Sequence, residues 1–165
     1  MTGPSRTALD PLATPAGGLG EAKLRQIVGY QLAQATIVTD QVFDRVVGTP
    51  LNLRPVEYTI LTLVKENPGG SPAQLSKALA VARPAITQRL DNLEERGLLL
   101  REPNTTDRRG QHLRVTRAGA LLVVKATAAL AAAERETFAN LSDVERMMLA
   151  ELLHKAACAR QPRAG

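Results

Sequence analysis

Two hydrophobic periods follow one another through the middle of this chain. From Ser71 to Gly97 apolar residues recur at helical spacing in two short groups, Leu75, Ala78 and Leu79, then Ile86, Leu90 and Leu93. Ser71-Pro72-Ala73-Gln74 has the spacing of a capping box, with proline at the first helical position. Only Ala80-Val81-Ala82 separates the groups, so the second helix, starting near Arg83-Pro84, must turn sharply against the first. Gly97 is a natural stop for it. The period then falls to two. Leu98-Leu99-Leu100-Arg101-Glu102 predicts a strand, and Gln111 to Thr116 its partner, with Leu113 and Val115 alternating. Between them, Pro103 to Gly110 is polar, turn-rich and tipped by Arg108 and Arg109. The pattern predicts a winged helix-turn-helix, a mainly α fold with a three-helix core and a β-hairpin wing.

Helical periods also flank this module. Residues 21–47 carry Leu32, Ala35, Val38, Val42 and Val46 on one side and Ile27, Tyr30, Ala33 and Ile37 on another. Apolar residues on two sides imply burial on two sides, and a second subunit is the simplest supply of cover. Gly48 to Leu53 predicts a loop. Pro55 then opens a helix with Val56, Ile60, Leu61 and Val64, ended by Asn67-Pro68-Gly69-Gly70. Beyond the wing, 118–139 is rich in alanine, which favours helix and lets neighbours approach closely. Ser142-Asp143-Val144-Glu145 is a second capping box, and Val144, Met148, Leu152 and Ala156 share one face of the helix it starts.

Projected at about 100° per residue, the second helix of the central pair separates its faces. Ile86, Leu90 and Leu93 share the buried side; Pro84, Gln88, Asp91 and Glu95 lie opposite, with Ala85, Asn92 and Thr87 on the flanks. A helix that enters the major groove needs small or hydrogen-bonding side chains near its N-terminus. Gln88 can pair bidentately with adenine and Ala85 can touch a thymine methyl. Arg83, Thr87, Arg89 and Asn92 can reach bases or phosphates. An ordinary amphipathic helix with a solvated face is the plainer alternative, and the arginine-tipped wing favours double-stranded DNA over it.

The chain has 165 residues, 44% hydrophobic but only 2% aromatic, so its core must be built from Leu, Val, Ile and Ala. The net charge of +5 suits a polyanion partner, and from Arg83 to Arg117 eight arginines face five acids. A single cysteine, Cys158, excludes an internal disulfide and a cysteine-cluster metal site. His112 and His154 lack ligand-like spacing. No membrane-length apolar run and no signal peptide core is present, so a cytoplasmic protein is expected. No paired acid and base, metal set or phosphate loop points to an enzyme, and nothing calls for a cofactor.

Leu90-Asp91-Asn92-Leu93-Glu94-Glu95-Arg96-Gly97-Leu98, then Asp107-Arg108-Arg109, then Val115-Thr116-Arg117-Ala118-Gly119, resemble the MarR (multiple antibiotic resistance regulator) family of bacterial transcription regulators. The resemblance runs from about Ile27 to Ala156 and includes the order of helices. It implies a homodimer that binds a pseudo-palindromic operator as a repressor and is released by a small, often aromatic or anionic ligand. It makes the helix from Pro84 to Arg96 the recognition helix, Arg108 and Arg109 the wing arginines, and Asp107 the acid that orients one of them. Pro84 and Ala85 stand where hydroxyl residues are often found. The layout implied is a flexible tail, 1–20, and a single domain, 21–165, with dimerisation helices at 21–47 and 118–160 around a DNA-binding lobe at 54–117. The family's ligand pocket implicates the scarce aromatics Tyr30, Phe43 and Tyr58, although core packing is the simpler role for all three. Cys158 is expected to be a buried, inert thiol. Two other functions stand beside the main one: a winged-helix module that docks proteins, and a redox-sensing regulator that uses Cys158.

Overall fold

A computed structural model describes residues 13–103 and 111–160. Asp107, Arg108 and Arg109 lie outside the described residues. The rest divide between Gln41 and Val42 into two compact units.

In the first unit, Ala13 and Gly20 form an isolated antiparallel bridge around a tight turn, where Leu19 O accepts from Thr14 N at 2.7 Å. The first helix, α1 (Val28–Phe43), starts seven residues later than the expected Glu21. Residues 21–27 form separate turns: Leu24 N donates to Glu21 O and Ile27 N to Leu24 O, both i to i+3, beside a single i to i+4 bond from Arg25 N to Glu21 O. Such three-residue bonds close tight turns and do not propagate an α-helix. Across this junction the Tyr30 hydroxyl donates to Glu21 Oε2 at 2.7 Å.

The second unit begins at the end of α1. Asp44–Gly48 continues as a π-helical stretch and Thr49–Leu51 as one more helical turn, α2, so the loop expected at Gly48 is helical to Leu51. Asn52 ends it in the left-handed region at φ 48°, which an asparagine tolerates. Then come α3 (Pro55–Glu66), α4 (Pro72–Leu79), α5 (Arg83–Glu95), the strands β1 (Leu99–Pro103) and β2 (Gln111–Val115), α6 (Arg117–Thr137) and α7 (Asp143–Cys158).

Local chemistry explains the ends. Ser71 Oγ accepts from Gln74 N while Gln74 Oε1 accepts from Ser71 N, and Ser142 with Glu145 repeats the exchange. Gly97, at φ 66°, terminates α5 in a Schellman motif, with Gly97 N donating to Glu94 O and Leu98 N to Leu93 O. β1 and β2 pair antiparallel, Leu99 opposite Val115 and Arg101 opposite Leu113. The core joins Val47, Leu53, Ile60, Leu61, Val64 and Leu75 to Ile86, Leu90, Leu93, Leu99 and Leu113, and α6 closes it with Val123 and Ala126. Ala78, expected on the buried face of α4, is exposed, and its carbonyl accepts from Arg160 at 2.8 Å. α7 buries none of its residues. No helix among the described residues is long and apolar enough to cross a membrane.

The Thr116-to-Gly119 spacing has a steric cause. Thr116 caps α6 by accepting from Gly119 N at 3.0 Å, and donates to Gly97 O at 2.7 Å. A Cβ on Gly119 would stand 2.1 Å from Leu98 O and 2.8 Å from Val115 Cγ1. Gly119→Ala should therefore cost about 1–3 kcal/mol through overpacking. Ala80, in the turn between α4 and α5, holds φ 52°, a region that penalises an L side chain. Ala80→Gly should raise the melting temperature where Gly119→Ala lowers it by several degrees; equal melts for the two variants would contradict both assignments.

Candidate nucleic-acid interface

α5 commits one side to the core through Ile86, Leu90 and Leu93, all 1% exposed or less. At about 100° per residue that burial turns Arg83, Pro84, Ala85, Thr87 and Gln88 outward, and all five are exposed. They occupy the first two turns of the helix-turn-helix's second helix. Thr87 Oγ1 donates back to Arg83 O at 3.1 Å, so its methyl and its hydroxyl both stay close to the helix surface. Gln88 and Arg83 present their polar ends to solvent.

Arg89 and Asn92 are placed differently. Both are half-buried. The Arg89 guanidinium lies 4.0 Å from Glu57 Oε1, on the inner side of α5. Asn92 lines a polar recess of about 250 Å³ with Asn52, Arg54, Glu57, Glu95 and Arg96. Glu57 is the one buried charged residue among the described residues, and its sequence context carries no sign of burial. Its position three residues after Arg54, before an apolar stripe, marks only a helix start; its Oε2 accepts from Arg54 N at 3.0 Å.

On the wing side, Arg101 of β1 reaches back to α5. Its guanidinium pairs with Asp91 and lies 3.2 Å from Glu94 Oε2, while its backbone N–H donates to Glu94 Oε1 at 3.2 Å. The Nε faces Glu94 off the line of a hydrogen bond, so that contact is ionic. Asp91 and Glu94 of this helix thereby tie the wing's root to it. β2 is anchored on the other side: Gly69 N donates to Leu113 O, Leu113 N to Gly70 O, and His112 Nδ1 meets Gly69 O.

The aromatic candidates separate. Phe43 and Tyr58 are half-buried against the core with ring centroids 6.0 Å apart, and the Tyr58 hydroxyl lies 2.9 Å from Thr127 Oγ1. Tyr30 belongs to the N-terminal unit, where its hydrogen bond to the Glu21 carboxylate pushes its hydroxyl above the usual tyrosine range. Cys158 is exposed, contrary to the buried thiol expected, because α7 buries nothing in a single chain; its Sγ lies 3.9 Å from His154 Nε2.

An exposed helix-turn-helix face flanked by a hairpin defines a winged-helix protein of the DNA-binding class. The MarR family sequence profile matches residues 53–110. A putative transcriptional regulatory protein for the hcr operon of Thauera aromatica is 32% identical over 128 residues, 78% of this chain and 77% of that protein. The chain belongs to the MarR family. Among solved structures, the transcriptional repressor CouR bound to a 23-mer DNA duplex is 28% identical over 84% of this chain and 98% of its own, with a TM-score of 0.77. The PcaV transcriptional regulator from Streptomyces coelicolor, in complex with its natural ligand, shares the fold at 20% identity and a TM-score of 0.73, over 84% of this chain and 96% of that one.

Replacing Arg101 by methionine removes the charge that joins β1 to α5 and keeps most of the packing volume. Arg101→Met should leave the helical circular dichroism intact and speed amide exchange at Leu100 to Glu102. Exchange as slow as in the parent protein would show that the carboxylates do not hold the wing root.

Proposed function

We propose that this protein is a transcription repressor that binds double-stranded operator DNA as a homodimer, in the cytoplasm, and is released by a small aromatic or anionic ligand. The observation that carries this reading is the outward face of α5. Arg83, Pro84, Ala85, Thr87 and Gln88 stand exposed in its first two turns, opposite a fully buried stripe. These are small or hydrogen-bonding groups at the end of the helix that a helix-turn-helix inserts into the major groove. Arg108 and Arg109 supply the wing's contact with phosphates or the minor groove, with Asp107 orienting them. Asn92 approaches DNA from the flank of the helix, whereas Arg89, expected to reach bases or phosphates, is turned toward Glu57. CouR, which shares the fold and 28% of the sequence, is a repressor bound to DNA.

The dimer rests on apolar surface that a single chain leaves bare. Val144, Met147, Met148, Leu149, Leu152 and Leu153 of α7 are all exposed, as are Leu32, Ile37 and Val38 of α1. Contiguous apolar faces of this kind mark association surfaces. The effector site is proposed at the Phe43–Tyr58 pair, where a tilted aromatic pair and the two hydroxyls of Tyr58 and Thr127 offer apolar and polar contacts together. Tyr30 is a further candidate.

Selection of bound duplexes from a random pool tests the function. The parent protein should return a two-fold symmetric motif. Gln88→Ala should lose about 1–3 kcal/mol of discrimination at one base pair in each half-site while nonspecific binding persists. Arg108→Ala and Arg109→Ala should weaken binding to every sequence and flatten its salt dependence. A Gln88→Ala protein that returns the parent motif at every position would contradict the assigned face. For the dimer, Met148→Glu with Leu152→Glu should convert the scattering mass from two chains to one; an intact protein that is already a stable monomer would refute the assembly.

A further inference from the structure

A carboxylate that is 4% exposed must be compensated, because burying an unpaired charge is costly. Glu57 is compensated by the N-cap of its own helix and by the recognition helix. Its Oε1 faces Arg89 Nη1 at 4.0 Å and its Oε2 faces Arg96 Nη1 at 3.5 Å, while Oε2 also accepts from Arg54 N. Arg96 then donates through Nη2 to Asn52 O at 2.7 Å, at the left-handed residue that precedes α3. Arg89 and Arg96 are seven residues apart, so they share a face and are separated by about 10 Å along the helix axis. One carboxylate therefore holds α5 near its middle and at its C-terminal end.

The apolar stripe cannot do the same. Burial of Ile86, Leu90 and Leu93 sets how deep the helix lies, but apolar packing is non-directional. The charged hydrogen bonds of Arg96 to Glu57 and to Asn52 O are directional, Arg89 adds an ion pair at 4.0 Å, and a groove-reading side chain must be held within about 10–20° of its productive orientation. We infer that Glu57 is a positioning residue for DNA recognition: through Arg96 it trims the rotation of the recognition helix, and through its ion pair with Arg89 it keeps that charge away from phosphate. The inference deepens the proposed function and rests on it.

Glu57→Gln separates this from a purely structural role. Glutamine keeps an oxygen for the Arg54 N–H, so the start of α3 stays capped, but it no longer holds two guanidinium groups. The duplex selected by the parent protein and a random duplex are each titrated across a range of salt. The variant should melt near the parent protein and lose about ten-fold in operator affinity. It should bind the random duplex with a salt slope steeper by about one ion per subunit, as Arg89 becomes free to meet a phosphate. Equal discrimination and equal slope overturn the inference alone. A parent protein that selects no sequence overturns the inference together with the proposed function. If Glu57→Gln melts below the assay temperature, Arg89→Gln carries the test, because Arg89 is half-exposed. Its operator affinity should fall with the salt slope unchanged, and a slope lower by about one ion per subunit would make Arg89 a phosphate contact and overturn the inference.

Discussion

The reading face depends on the burial of Ile86, Leu90 and Leu93. Each is worth roughly 1.5–3 kcal/mol out of water, and together they commit one side of α5 to the core. Everything exposed on that helix follows from the commitment. The same core takes Leu99 and Leu113 from the hairpin, so the wing's root and the recognition helix share one apolar foundation. Charge then trims the geometry on both flanks. Glu57 grips Arg89 and Arg96 from within, and Asp91 with Glu94 grips Arg101 from the wing side. Asp91 and Glu94 near the reading face are thus bound to an arginine.

The chain is unevenly covered. The winged module closes its own core, whereas α7 buries no residue and α1 buries only Val42. An isolated helix with so little burial is marginal in water, since most helical stability in proteins comes from packing of an apolar face. In the proposed homodimer those helices would take their stability from association, linking folding of the ends to assembly of the DNA-binding unit.

Much of this was legible in the residues. Capping boxes at Ser71 and Ser142, the Gly97 stop and the period-two strands have local causes, and they define the elements within a residue or two. The apolar stripe of α5 predicted the outward face for the same reason. What escaped is non-local. Glu57 looks like any helical glutamate, and its burial arises from Arg89 and Arg96, more than thirty residues away. The inward lean of Arg89 follows from that pairing and cannot be read from helical projection alone. The late start of α1 came from competing three-residue turns that no apolar period reveals. Cys158 was expected to be buried because cysteine usually is, but the helix that carries it has no cover within one chain.

Hydroxyl-radical footprinting of the protein on its selected duplex tests the central claim most directly. Two copies of α5 related by a two-fold axis should protect two patches centred about one helical turn apart, with Gln88 opposite the centre of each. The wing should add flanking protection where the minor groove faces the protein. A single asymmetric patch, or uniform protection without a two-fold pattern, would contradict a dimer that reads DNA through this helix.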